Sequence, residues 1–538
     1  MDMRPRLLSP LSRRAFLGSS LLAGVATNPW LRRVHAEGRS SSRAVETPFR
    51  ITPFIQDLPN PHVLQPLSVG VAPYIPGEVE GGIAPEFARL REWERFPTKY
   101  YQLTIRESVH EFIPGVETPV WGYDGVVPGP TIISRTGEPA VVRVTNTLDI
   151  ETSIHLHGGH SPSHSDGFPS FYVLPRTSRD YFYPNTVPED DGEPTESEAQ
   201  STMWYHDHAM DITGHNVYMG LAGFHLMHDA LEDRLVDAHV LPSGPQDVPL
   251  AIVDRTFNAD GTLYYDFLDH NGQLGDTWIV NGVVQPRMVV ERRKYRFRIL
   301  CGTNARFLNL RLSNGQSFLQ IAADSWLLPY AMVRREADIA PGNRIEIVVD
   351  FRNAPEELYL ENTWEQVDGR RPKGTADQPA PFLKFIVRGE AVPNDATVVE
   401  NTPLRPHVPI LPQEIVTTRR FRLGRNQGAW SINGELYDEH RIDATPRLGT
   451  AERWIVENGG GGWWHPFHSH LEGHQVQRIN GRVPPPWGRY KRDITNLESG
   501  AVIEVFQKFR TFTGPFVWHC HTAEHEDMRM MNNFEVQR

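Results

Sequence analysis

Cysteine is almost missing from this chain, with two in 538 residues, Cys301 and Cys520. A disulfide framework is therefore excluded as the source of stability. A membrane-spanning run is missing too. The apolar stretch from Phe16 to Ala26 has 11 residues, where a bilayer helix needs about 20. Basic charge is scarce in the body of the chain. The formal net charge is −12, and residues 1–36 carry six arginines against one aspartate, a net +5 that leaves −17 for the remainder. That balance favours solvation and argues against nucleic acid, which selects basic surfaces. Long helical periods are few, whereas 43 glycines and 44 prolines punctuate the sequence. Methionine is sparse, at 11, and forms no run.

The N-terminal segment reads as an address. Ser12-Arg13-Arg14-Ala15-Phe16-Leu17-Gly18 has the twin-arginine form, followed by the short apolar stretch and a small-residue cleavage site near Ala36. Residues 1–36 are thus expected to be a signal peptide for export of folded protein, to a periplasmic or extracellular location, with no membrane anchor in the mature chain.

The rest repeats itself. Asp124-Gly125, Asn281-Gly282 and Asn433-Gly434 each mark a turn beside a β-rich run: Val141–Asn146, Tyr295–Leu300 and Glu452–Asn458. Runs of this length between turn residues predict strands, and the repetition predicts duplicated sandwiches. The expected fold is all-β, three consecutive Greek-key β-sandwich domains at 45–235, 240–395 and 410–538. The Pro-rich stretch from Val392 to Pro412 is the expected last linker, and the acidic run Glu189–Glu198 is an expected solvated loop.

Against this background stand four histidine clusters. They are His155-Leu156-His157, His206-Asp207-His208, His465-Pro466-Phe467-His468-Ser469-His470 and His519-Cys520-His521, with His525 and Met530 following. Imidazole suits copper, zinc, iron and nickel, and a His₂Cys set with a weak axial Met marks blue copper. Side chains alternate faces along a strand, so His519 and His521 point one way and Cys520 the other. One strand would then serve two centres back to back. His525 and Met530 would complete the cysteine's centre from the following loop. His465 is its natural second imidazole, since His468 and His470 belong with the other centre. Where the last cluster has Cys520, the second has Asp207, which offers no thiolate. The middle repeat lacks the histidines and is expected to be a metal-free spacer that lets the outer two meet.

In these four motifs, taken in order from about Gly125 to Met531, the chain resembles the multicopper oxidases, the group of laccases, bilirubin oxidases and phenoxazinone synthases. His155-Leu156-His157-Gly158-Gly159 and His206-Asp207-His208-Ala209-Met210 look most like the bacterial spore-coat laccase branch. The resemblance implies that the three sandwiches are cupredoxin-like and that the chain holds four copper ions. His465, Cys520, His525 and Met530 would bind the type 1 ion. His155 and His468 would bind type 2, and His157, His206, His208, His470, His519 and His521 the type 3 pair. It also implies dioxygen as electron acceptor, reduced to water, and proton delivery by Glu526 and Asp166. Substrate electrons would enter at His525, with its ring edge near the surface. Cuprous oxidases of this kind carry a Met-rich insert that is not seen here, so phenols and aromatic amines are the expected reductants. A metallo-oxidase acting on Cu(I), Mn(II) or Fe(II), and a bilirubin-type oxidase, are the alternatives, ahead of a copper-free structural relative. His160, His164 and His474 match no ligand position and are expected to support the ligands or face solvent. Trp463 and Trp464 are candidates for a substrate cleft or for core packing, and Cys301 for a small buried hydrophobe.

Overall fold

Alternating burial shows why these segments become strands. In Lys99–His110, Tyr101, Leu103 and Ile105 are buried while Gln102 and Arg106 are exposed, the period-2 pattern of a strand with one face on a core. The computed structural model describes residues 45–68, 98–187 and 195–538. Residues 1–36, with the twin-arginine motif, lie outside them. Thr47–Arg538 forms one compact unit, built from six sheets in three face-to-face pairs.

The first pair has four strands in each sheet. Lys99–His110, Ala140–Asn146 and their neighbours face the sheet ordered Gly129–Arg135, Ala222–His228, Thr202–Asp207 and Ile154–His157. Leu103, Ile105 and Val144 meet Ile154, Met203 and Tyr205 between them. A seven-stranded and a five-stranded sheet form the middle pair around Phe297, Ile347, Leu310 and Phe385. The third pair, six strands on four, closes over Phe421, Trp454, Val505, Trp518 and Phe534.

The three pairs share one opening. Lys99–His110 runs parallel to Ala140–Asn146, Asp247–Arg255 to Lys294–Cys301, and Ile415–Asn426 to Ala451–Asn458. In each, the turn dipeptide read from sequence has positive φ at both positions: 54° and 72° at Asp124-Gly125, 50° and 85° at Asn281-Gly282, and 56° and 79° at Asn433-Gly434. That is the tight hairpin geometry in which Asn or Asp before Gly carries the least strain. The fold is all-β and cupredoxin-like.

The Val392–Pro412 stretch runs from the last middle strand, ending at Ala391, toward the first strand of the third pair, starting at Ile415, and it is packed along its way. Val398 and Leu404 are buried with Leu241, Ile321 and Val348, and Arg405 is buried with its Nη1 2.8 Å from Asp229. Of the acidic run Glu189–Glu198, residues 189–194 lie outside the described residues and Glu196 is exposed as expected, whereas Glu198 is buried, paired with Lys491 and Arg510. A buried carboxylate needs such partners, and the nearest cation is 293 positions away in sequence. Cys301 lies inside the Lys294–Cys301 strand, buried in the middle core, where burial pushes its thiol up to about 12. It is an inert apolar group there. Among the described residues no helix is long and apolar enough to cross a membrane.

Candidate metal centres

The clusters sit on matched strand pairs. Ile154–His157 pairs with Thr202–Asp207, placing His155 opposite His206. In the third sandwich His465–Ser469 pairs with Gly514–Cys520, placing His468 opposite His519 and Phe467 opposite Cys520. Each second strand then pairs with a following one, Ala222–His228 and Met531–Val536. The first of these is less apolar than its sequence suggests, because His225 is buried at its centre with Nε2 2.9 Å from Ser134 Oγ.

The two strand pairs bring eight histidines into one buried cage, four from each outer sandwich. His155 Nε2 faces His468 Nε2 at 3.3 Å, and His157 Nδ1 faces His521 Nε2 at 3.2 Å. His519 Nε2 lies 3.2 Å from His208 Nε2 and 3.3 Å from His470 Nε2. His206 stacks on Trp204 at 4.1 Å, its ring 5.6 Å from His521 and 5.7 Å from His157.

The outward nitrogens fix the protonation of the inward ones. His155 Nδ1 donates to Asp166 O at 2.5 Å, His206 Nδ1 to Asp207 O at 2.8 Å, His468 Nδ1 to Asp493 O at 2.9 Å and His519 Nδ1 to Cys520 O at 3.0 Å. Carbonyl oxygens only accept, so each of these rings carries its proton outside and turns a bare lone pair inward. His470 Nδ1 donates to Asp166 Oδ2 at 2.6 Å, and His157 reverses the sense, giving Nε2 to Asp493 Oδ1 at 3.1 Å and turning Nδ1 inward. Burial, reinforced by neighbouring rings, lowers the pKa of His155, His157, His468, His470 and His521 well below the usual value, and takes His206 to about 3 and His208 to about 4. The imidazoles are neutral, the form that binds metal. Facing lone pairs repel one another, and His206 Nε2 has no hydrogen-bond partner among the described residues. The donor set fits cations held between the rings.

On the opposite face of the same strand, Cys520 Sγ lies 3.4 Å from His465 Nδ1 and 3.5 Å from His525 Nδ1, with the two nitrogens 3.2 Å apart. Burial pushes the thiol up to about 12, so a bound cation is what makes the thiolate. His525 and Glu526 are neighbours on the short helix Ala523–Asp527. Successive residues point about 100° apart there, which sends the imidazole to Cys520 and the carboxylate to the cage. Met530 is fully buried in the same core as Cys520. Its backbone ties to both partners, Cys520 N donating to Met530 O at 3.1 Å and Met530 N to His525 O at 2.9 Å. Met531 turns to a different cluster, with Phe168 and Tyr437. Met528 packs only partly buried against the Cys520 core.

The two carboxylates singled out from sequence both reach the cage, in different ways. Glu526 Oε1 lies 3.5 Å from the inward Nε2 of His208, and Oε2 lies 3.1 Å from His519 Nδ1. Burial raises this carboxyl, but His519 and His208 lower it by more, and the net shift is downward. Asp166 meets outward nitrogens only, His470 Nδ1 and, at 3.7 Å, His155 Nδ1, and burial pushes its carboxyl well up.

His525 is not exposed. Its accessibility is 0%, which overturns the expectation of a ring edge near the surface. A roof covers it: Nε2 lies 3.3 Å from Asn271 O, and the Trp430 ring packs 4.1 Å away. Trp430 Nε1 donates to His270 O at 2.7 Å, locking ring and loop together. Trp463 joins the roof, 4.8 Å from Trp430 and 5.5 Å from His525, whereas Trp464 packs on Phe307 and Trp364.

Sequence reading missed Trp430, Asn271, Asp493 and Arg344. Asp493 supports two cage histidines and is itself gripped by Arg344, whose Nη1 donates to Asp493 Oδ1 at 2.8 Å. Arg344, Asn271 and Gly342 all belong to the middle sandwich. A Cβ on Gly342 would lie 2.7 Å from His521 Cε1, and its φ is +81°, so only glycine permits this approach. The middle sandwich does more than space the other two. His160, His164 and His474 are buried or half-buried rather than facing solvent. His160 Nδ1 sits 3.4 Å from Leu471 O, and His474 Nε2 2.8 Å from Thr495 Oγ1.

A cupredoxin-like frame carrying a sulfur–imidazole site back to back with a cage of bare imidazoles defines a class, the redox metalloenzymes. Sequence models described as multicopper oxidase match residues 104–232 and 402–538. A laccase of Bacillus subtilis is 31% identical over 503 residues, covering 81% of this chain and 94% of the laccase. A bilirubin oxidase of Albifimbria verrucaria is 33% identical over 453 residues, covering 81% of this chain and 76% of that protein. The crystal structure of a laccase from Pediococcus acidilactici aligns with a TM-score of 0.75 at 26% identity, over 92% of this chain and 95% of that one. This chain belongs to the multicopper oxidase family. It is an oxidoreductase that uses copper ions, dioxygen and a reducing substrate.

Proposed function

We propose that the chain is a laccase-like oxidase that holds about four coppers and oxidises phenols or aromatic amines one electron at a time. The carrying observation is the single strand that turns Cys520 to one donor set and His519 to another. His465, Cys520 and His525, with Met530 buried in the same core, would hold the type 1 ion. His155 and His468 take the type 2 ion. His157, His206, His208, His470, His519 and His521 would hold the type 3 pair, and His208, His470 and His519 already bring their ring nitrogens together. Bound copper would accept single electrons beside Cys520 and, in the cage, supply the chemistry that turns one dioxygen, four electrons and four protons into two waters.

The protein's own residues do the rest. Cys520 and His519 are adjacent in the chain and bridged again by the hydrogen bond from His519 Nδ1 to Cys520 O, a short path between the centres. Glu526 borders the cage interior through Oε1, and we assign it the relay of protons to the oxygen site. Asp166 contacts only outward nitrogens, and we assign it the orientation of His155 and His470, as carboxylates that fix ligand tautomers do. We further propose export by the twin-arginine route, supported by Ser12–Gly18. Blocking that pathway should leave the protein with its leader in the cytoplasm, and normal export would refute the assignment.

Copper-loaded protein tested in air against a phenol, an aromatic amine, bilirubin, Cu(I) and Mn(II) decides the substrate class. The organic reductants should turn over fastest, and a strong preference for either metal ion would replace this reading with a metallo-oxidase. Met530→Leu should remain active with a higher type 1 potential, because the axial ligand tunes it. A redox titration that moved with Met528→Leu and not with Met530→Leu would put the axial role on Met528.

A further inference from the structure

The roof over His525 has an outer face of unusual composition for an acidic protein. Arg425 is exposed and lies with its guanidinium carbon 3.7 Å over the Trp430 ring and 5.1 Å from the centre of Trp463. Arg370, also exposed, covers Trp463 at 5.3 Å. Trp463 itself is partly exposed between them. The position of Arg425 is fixed rather than random. Its Nη2 donates to Asn271 Oδ1 at 2.6 Å and its Nη1 to Gly428 O at 2.9 Å. Arg425 forms no ion pair among the described residues, and Arg370 has only a loose one, 3.9 Å from Asp368, with both side chains more than half exposed. Asp269, on the roof loop, is the carboxylate that acts on Arg425 from a distance. The whole chain carries −12, so two stacked guanidinium groups over a tryptophan pair stand out from their surroundings.

Since no reductant can touch the ring of His525 in this arrangement, we propose that the reductant docks on this outer face, and that Arg425, Arg370 and Trp463 select aromatic reductants that carry an anionic group. The inference rests on the oxidase reading above and narrows its substrate class. Trp463 offers the stacking surface, and the guanidinium groups offer donors to a sulfonate or carboxylate at its rim. The same pair of cations repels Cu(I) and Mn(II). Trp430 is the bridge inward, with Arg425 over its ring and the His525 ring packed against it at a tilt, 4.1 Å between centres. Each docked aromatic would give up one electron, which copper bound at Cys520 would accept. A phenol's hydroxyl proton leaves to solvent in the same event, and the oxidised radical departs.

The test begins with binding alone. Isothermal titration of the copper-loaded full chain with benzenesulfonate and with benzenesulfonamide, neither of which is oxidised, reads docking without turnover. The sulfonate should bind about tenfold tighter at low salt, as two exposed charge pairs allow, and the gap should close as ionic strength rises. Arg370→Gln and Arg425→Gln should each narrow it. Arg370 serves as the safer variant because, beyond Trp463, its side chain has only the loose, exposed pair with Asp368. Equal binding of the two probes, or a sulfonate preference untouched by either substitution, would overturn the proposal. Turnover separates this inference from the reading beneath it. With 4-hydroxybenzenesulfonate and its sulfonamide as substrates, Arg370→Gln should raise KM for the anion alone while kcat holds. Turnover of both substrates with equal KM in the unaltered enzyme would sink the docking site and leave the oxidase standing. Turnover of neither, with the binding preference intact, would keep the docking site and refute the oxidase.

Discussion

Cys520→Ser is expected to lose its blue colour and its oxidase activity together while keeping about three of its four coppers. Oxygen is a hard donor and leaves His465 and His525 as a two-nitrogen site without the thiolate, whereas all eight cage histidines remain. The fold should survive. The side chain is fully buried beside Phe467 and Trp518, and a hydroxyl placed there costs about 1–3 kcal/mol, a loss a chain of this size withstands. Metal analysis, the visible spectrum and oxygen uptake measure the three consequences separately. Retained colour and activity would remove Cys520 from the electron path. Loss of all copper would mean that the two centres do not load independently.

The second large effect concerns protons. Glu526→Gln is expected to slow oxygen reduction by about 10² to 10⁴, equivalent to roughly 3–5 kcal/mol of barrier, while the reductant still reduces the blue copper at its usual rate. The substitution keeps the shape of the side chain beside His208 and His519 but not its capacity to carry a proton to the oxygen site. Bleaching of the blue band without air, compared with its return when air is admitted, separates the two halves of the cycle. Slow bleaching with normal return would move Glu526 to the substrate side and end its role as a relay. Asp166→Asn tests the contrasting role. An orienting carboxylate should show itself as weaker copper retention rather than as a slow oxygen step alone.

What could be read from the sequence was local. A strand places i and i+2 on one face, so His519-Cys520-His521 announced two centres without any knowledge of the rest of the fold. The turns at Asp124-Gly125, Asn281-Gly282 and Asn433-Gly434 were legible because their backbone conformation demands those residues. What could not be read depends on partners far along the chain. Asp493 meets His157 across 336 positions, Glu198 meets Lys491 across 293, and the carbonyl of Asn271 meets His525 across 254. Glu198 looks solvated until the fold supplies a buried cation, and the ring edge of His525, which the family resemblance puts near the surface, is covered because another sandwich lays a loop over it. Trp430 had one signal that could have been used. It lies on the short strand Ala429–Ile432, just ahead of the turn at Asn433-Gly434. A tryptophan on so short a strand must pack against something large.

The most direct test of the central claim is copper stoichiometry paired with the visible spectrum on purified, copper-loaded full chain. The account requires about four coppers per chain, one of them blue, from the sulfur–imidazole site and the eight-histidine cage together. A colourless protein, or a single tightly held ion per chain, would contradict it.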